Sequence, residues 1–176
     1  MLFVALVVAL LSNLESSHSE ESLNTHEKDA PLSPSTVQSS ELNYRWYKGG
    51  DWMRGKTLLK NCNNHEVYCY VAVNESQTNE VAGVVEIDLK YQDLPYDVEK
   101  VIRNKMHPPD GILGYLAFVY VAPEYRGQKV AQRLINDSFE LVSVAIQHFG
   151  AMSLMVDKNN VAAIALYKKV GFVWIR

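Results

Sequence analysis

Two stretches of the sequence put ligand-holding and reactive residue types at junctions where chemistry is feasible. The first is residues 116–134, LAFVYVAPEYRGQKVAQRL. An apolar run ends at Pro123, meets a basic turn containing a glycine, and gives way to a helical pattern. A helix N-terminus presents backbone N–H groups with no intrahelical acceptor, at the positive end of the helix dipole. Gly127 and the small Ala131 let backbone approach a ligand closely, and Arg126, Lys129 and Arg133 add positive charge. That combination suits a di- or polyphosphate. The competing reading is a basic helix start with no ligand. The second stretch is residues 156–172, VDKNNVAAIALYKKVGF. Asn159 and Asn160 stand at a strand-to-helix junction, where Asn is a good N-cap. Tyr167 lies seven residues beyond Asn160, two turns along and on about the same face. It reads either as an amphipathic core residue or as a phenol beside whatever the two helix starts hold.

The elements that must position these residues follow from periodicity. Residues 42–47 alternate apolar and polar, as a first strand would. Lys48, Gly49, Gly50 and Asp51 make a turn, and residues 52–61 are expected as a short helix. Residues 66–73 (EVYCYVAV) and 81–89 (VAGVVEIDL) are β-branched and aromatic, an antiparallel hairpin around a polar turn. Residues 90–113 are irregular, with three prolines and a helix expected over 98–106. Residues 114–122 are a nearly continuous apolar strand, expected to be central and covered on both faces. Apolar residues at 130, 134, 135, 139, 142 and 146 predict a long helix over 128–148. A strand over 151–156, a helix over 160–170 closed by Gly171, and a strand from 172 complete the order. This order predicts an α/β protein, a mixed sheet with helices on its faces.

Composition narrows the class. A chain of 176 residues is enough for one domain with a sizeable core. Its net charge of −3 argues against a general nucleic-acid binder. The charge is uneven: residues 12–41 carry six acids and one base, so residues 42–176 are mildly basic. Residues 12–41, rich in Ser, Glu, Asn, Thr and Pro, have almost nothing to bury and read as a disordered linker. Residues 1–11, MLFVALVVALL, are too short for a membrane span and suit a signal-peptide core, though without a charged flank or a clean cleavage site. Secretory or organellar targeting is one expectation for them, and a cytoplasmic protein with a misassigned start is the other. Cys62 and Cys69 exclude a four-cysteine zinc site and are expected as buried thiols. The five histidines show no ligand spacing, so no metal is expected. Asn74-Glu75-Ser76 and Asn136-Asp137-Ser138 fit the glycosylation acceptor pattern.

Together the two motif stretches resemble the Gcn5-related N-acetyltransferase (GNAT) family, closely over residues 116–172 and loosely over the hairpin before them. Arg126 to Ala131 is similar to the family's Q/R-x-x-G-x-G/A loop. Asn160 through Tyr167 to Gly171-Phe172 is similar to its N-x-x-A-x-x-x-Y-x-x-x-G-F signature. The resemblance implies a GNAT-like acyl-CoA N-acyltransferase fold, with residues 42–176 as its domain. It implies acetyl-coenzyme A as co-substrate and an amine on a protein, peptide or small molecule as acceptor. The pantetheine arm would lie along backbone groups of Val119 and Val121. The pyrophosphate would take amides of Gly127, Gln128, Lys129, Val130, Ala131 and Gln132 beside Arg126, and Asn160 would contact the coenzyme. Tyr167 matches the general acid that protonates the departing thiolate.

The family pattern is not matched everywhere. Lys129 stands where the family has its third glycine. The positions that match the family's usual basic glutamate are Tyr115 and Met155, neither a useful base. Glu86 and Asp88 are the nearest carboxylates, and their alternation reads as outward and solvated. The family's strand after the G-F signature has no counterpart here. The sheet is therefore expected to lack its last strand, through truncation or because another segment fills the gap. Two functions remain open at this point: an N-acetyltransferase, with a protein N-terminus or lysine favoured over a small amine, and a non-catalytic or degenerate acyl-coenzyme A-binding module.

Overall fold

The β-branched and aromatic runs form the middle of a seven-stranded sheet in the computed structural model, which describes residues 3–9, 42–53, 62, 66–77 and 79–175. Its strands are β1 (Phe3–Ala9), β2 (Asn43–Trp46), β3 (Val67–Asn74), β4 (Glu80–Asp88), β5 (Ile112–Val121), β6 (Phe149–Asp157) and β7 (Val173–Trp174). The helices are α1 (Tyr96–Arg103), α2 (Val130–Ala145) and α3 (Val161–Lys169). The order across the sheet is β2-β3-β4-β5-β6-β1-β7. Every pairing is antiparallel except β5 with β6, the two strands joined through α2. Hairpins can be made by short turns, whereas a parallel pair needs a crossover, and α2 supplies it.

α2 buries Val130, Leu134, Ile135, Ser138 and Val142, one stripe of a 3.6-residue period. These residues pack on Tyr70, Val85, Leu116, Met152 and Leu154. Gly83 makes room for them: a Cβ there would lie 2.9 Å from Leu134 Cδ1. The opposite face of the sheet carries Met53, Cys69, Val71, Val73, Val81 and Val84. α1 covers a third cluster of Leu94, Ile102, Met106, Leu113 and Ala151.

Several expectations are corrected here. Residues 52–53 bridge to β4 through Trp52 and Glu80 instead of starting a helix; residues 54–61 lie outside the described residues, as does the expected linker at 12–41. Cys62 and Cys69 are not thiols but a disulfide. Asn74 is only 2% exposed and donates its Nδ2–H to the Tyr125 hydroxyl, 2.9 Å away, which removes it as a glycosylation acceptor. The expected gap in the sheet is filled by residues 3–9. β1 runs beside β6 from Phe3↔Asp157 to Ala9↔Ala151 and pairs on its other side with β7 at Leu6↔Trp174 and Val7↔Val173. The apolar run that resembles a signal core thus takes a strand position inside the sheet.

Candidate functional site

The site begins where two parallel strands part. β5 pairs with β6 only from Ile112↔Phe149 to Tyr115↔Ser153. There Ser153 Oγ–H donates to the Gly114 carbonyl at 3.1 Å, inside the sheet. Past Tyr115, β6 continues alongside β1 while β5 stays with β4, from Ile87↔Leu116 to Gly83↔Val121. β4 advances by one residue between Glu86 and Ile87 while β5 advances by two. Ala117 is therefore the extra residue of a β-bulge, which bends β5 away. The result, among the described residues, is a strand whose second half has one side unpaired, at the centre of a sheet. The Ala122 N–H donates to Ala82 on β4 at 2.8 Å. By alternation, the N–H and C=O of Val119 and Val121 face the opening. Ala117 is exposed and residues 118–121 are half-buried, so the expectation of a strand covered on both faces holds only for its first half.

The chain leaving β5 forms the end wall of this opening. Arg126 is extended, Gly127 has φ +78° and Lys129 has φ +61°. Both left-handed residues are needed to turn the chain sharply into α2. A Cβ on Gly127 would meet nothing within 4 Å, so the loop is open on that side. Lys129 keeps the backbone conformation a glycine would adopt, at a cost of about 1 kcal/mol. Its side chain is exposed, so the lysine adds charge without closing the loop. α2 has no side-chain cap and no acid in its first turn. The Arg133 N–H, donating to the Lys129 carbonyl, opens the helical ladder. The amides of Val130, Ala131 and Gln132 before it have no helical acceptor.

Val121, Arg126, Gly127, Lys129, Val130, Ala131 and Gln132 line one cavity of about 300 Å³ together with Tyr125, Leu166 and Lys169. Seven of the sequence-derived positions thus converge. Arg126, Lys129 and Lys169 give the cavity three cations. Arg126 Nε–H also donates to the Val121 carbonyl at 3.0 Å, so a ligand using that carbonyl must displace it. Gln128 stands aside, its Nε2–H on the Glu124 carbonyl. Asn160 is exposed and caps α3, its Oδ1 accepting from the Ala163 N–H at 3.1 Å.

Tyr167 lies on α3, its ring edge-on to Phe172 with centroids 5.7 Å apart. Burial pushes its phenol above the usual range, which keeps the proton on at neutral pH. Tyr167 in turn acts electrostatically on Tyr115, on β5 where the strands part. Tyr115 is pushed up to about 12, by burial first and then by its contact and hydrogen bond with Tyr91. Tyr91 lies flat against it, centroids 3.7 Å apart and planes 6° apart. A phenol so raised is no base at neutral pH. Glu86 is not the outward residue its alternation suggested: it is 5% exposed, with a carboxylate oxygen within 4.8 Å of the disulfide sulfurs. Asp88 is half-buried and accepts from the Lys90 N–H at 2.7 Å, which ties it to a turn.

Lys169 and Tyr91 are the residues sequence reasoning missed. Lys169 has a signal, two residues past Tyr167 on the helix whose start was already singled out. Tyr91 has none, because it sits in a stretch with no period.

This arrangement has counterparts. The Acetyltransferase (GNAT) family profile matches residues 26–172, and the chain belongs to that family, the class of acetyl-coenzyme A-dependent acyltransferases. Among solved structures it is similar to Arabidopsis thaliana NAA60 in complex with acetyl-CoA, with a TM-score of 0.59 and 22% identity over 77% of this chain and 86% of that one. The same protein with a bisubstrate analogue gives a TM-score of 0.55 and 25% identity over 68% of each chain. Among curated proteins it is similar to the N-terminal acetyltransferase B complex catalytic subunit NAA20 of Arabidopsis thaliana, 36% identical over 63 residues. It is also similar to N-alpha-acetyltransferase 30 of Schizosaccharomyces pombe, 27% identical over 74 residues. The chain spans 36% and 47% of the lengths of these two relatives, and the matches take in 36% and 41% of this chain.

Proposed function

We propose that the protein transfers an acetyl group from acetyl-coenzyme A to the amino terminus of a protein or peptide. The observation that carries this reading is the half-unpaired β5 edge leading to an uncapped helix start lined by three cations. The pyrophosphate would bind the amides of Gly127 and of Val130, Ala131 and Gln132, with Arg126, Lys129 and Lys169 neutralising its charge. The pantetheine arm would add to the Val119–Val121 edge as a strand does. The amine nitrogen attacks the thioester carbon, the C–S bond breaks, and the thiolate takes the Tyr167 proton. The surplus amine proton leaves to water, since Tyr115 holds its own proton, and water returns a proton to Tyr167. The peptide acceptor is favoured over a small amine because the curated relatives are N-terminal acetyltransferases.

The second reading is a module that binds acyl-coenzyme A without turning it over, and the raised phenol of Tyr115 at the position of the family's base favours it. One assay separates the two. The full chain is mixed with acetyl-coenzyme A and a pool of unblocked peptides, and free thiol is followed together with peptide mass. Peptide-dependent thiol release with acetylated product supports transfer. Coenzyme binding without release supports the module.

A further inference from the structure

The connection from β4 to β5 is far longer than a hairpin needs. Residues 89–111 take 23 positions, where a few suffice for a hairpin. This one is folded, not slack. Leu94, Ile102 and Met106 are buried against Leu113 and Ala151. Arg103 clasps the far end of the segment, Nη1–H donating to the Pro109 and Gly111 carbonyls at 3.3 and 3.1 Å and Nε–H to Glu99 at 2.7 Å. Beneath the segment is a cavity of about 390 Å³ lined by Tyr91, Leu94, Glu99, Arg103 and Leu113 among others. That volume falls in the range of ligand sites. It shares no lining residue with the cation-lined cavity at the start of α2.

Tyr91 links this cavity to the parting strands. Its ring is in the cavity wall and lies flat on Tyr115. Tyr115 interacts in turn with Tyr167. Three phenols therefore run from the second cavity to the position proposed for the proton donor. The coenzyme's reactive end must lie near Tyr167, and its phosphates at the other cavity. The cavity under the insertion, which has Tyr91 in its lining, offers a second substrate a route to the same point.

We infer that the acceptor peptide enters through the cavity beneath residues 89–111, and that Tyr91 is the specificity-determining residue that fixes where its amino terminus stops. This rests on the transfer reading above. Tyr91 acts on the acceptor by contact and on Tyr115 by stacking. It has no part in holding the coenzyme.

The test compares the parent with Tyr91→Ala and Tyr91→Phe, using unblocked peptides randomised at their leading positions and acetyl-coenzyme A. Tyr91→Ala removes the wall and the stack. It is expected to raise the acceptor KM about tenfold, the scale of a lost aromatic contact, and to broaden the set of leading residues accepted. Its dissociation constant for acetyl-coenzyme A is expected to match the parent's. Tyr91→Phe keeps the ring and is expected to restore both KM and selectivity. An alanine variant with the parent's KM and the parent's selectivity overturns the inference and leaves the transfer reading standing. So does an alanine variant that loses coenzyme affinity as well. A parent that binds acetyl-coenzyme A yet acetylates no peptide overturns the transfer reading and this inference with it, and that outcome is visible before any variant is made.

Discussion

At the scale of single residues, the account rests on where protons sit. Tyr167 is half-buried, keeps its proton, and belongs to the helix that shares a wall with the cation-lined cavity. Tyr167→Phe retains the ring against Phe172 and removes the proton. Turnover is expected to fall about 10²–10⁴-fold, with the coenzyme dissociation constant unchanged, because only a transition-state interaction is lost. Steady-state kinetics beside equilibrium binding checks this, and a variant equal to the parent makes Tyr167 a packing residue. Tyr115 gives a second expectation. An unfolded phenol ionises near pH 10, and Tyr115 in the fold only near 12. Its folded pKa is the higher one, so its contribution to stability is complete below about pH 10 and is lost as pH rises toward about 12. Chemical denaturation between about pH 9 and 11 should show Tyr115→Phe losing less stability than the parent. Equal losses would mean that Tyr115 is not buried as described.

At the scale of elements, the loop between β5 and α2 is the decisive piece. Gly127→Glu puts a carboxylate where the phosphates are placed and a side chain at φ +78°. Backbone strain of about 1–2 kcal/mol should lower the melting temperature by a few degrees without unfolding the chain. Coenzyme affinity is expected to fall at least about tenfold through repulsion at the helix start. Titration calorimetry reads both states, and unchanged affinity would place the phosphates elsewhere. This element could be read in advance, because a buried strand, a glycine turn and a periodic helix are local patterns in residues 116–134. The second signature was equally local: Asn160 caps α3 as its type and place foretold. What could not be read is what depends on neighbours far along the chain. The Cys62–Cys69 bridge joins a strand to a stretch without periodicity. Glu86 alternates like a solvated residue, but its face of the sheet is covered by Met53, Cys62 and Phe118. Tyr91 gains its role only because the insertion folds back over β5.

For the whole molecule, the sheet is completed from the start of the chain. β1 gives β6 and β7 a shared neighbour, and its strand position was recognisable beforehand only as a gap. The apolar run of residues 1–11 shows why: eleven apolar residues in a row fit a buried strand and a signal core equally well, and only pairing decides between them. Deleting residues 1–11 would strip backbone partners from both strands, at about 1–3 kcal/mol for each group left buried and unpaired. For several groups that rivals a domain's entire stability of about 5–15 kcal/mol. The deletion variant is expected to lose cooperative melting and hydrogen-exchange protection across residues 151–157. A variant that melts like the parent contradicts the strand assignment. Cleavage of the same residues as a leader would have the same consequence.

The central claim is that acetyl-coenzyme A lies along the unpaired half of β5 with its phosphates on the start of α2. Backbone amide chemical shifts of the full chain, recorded during titration with acetyl-coenzyme A, test it directly. The account predicts saturable changes concentrated at Val119, Val121, Gly127 and residues 128–132, with smaller ones at Asn160 and Tyr167 and little at residues 92–106. Changes centred on the cavity beneath residues 89–111, or none at saturating coenzyme, would contradict it.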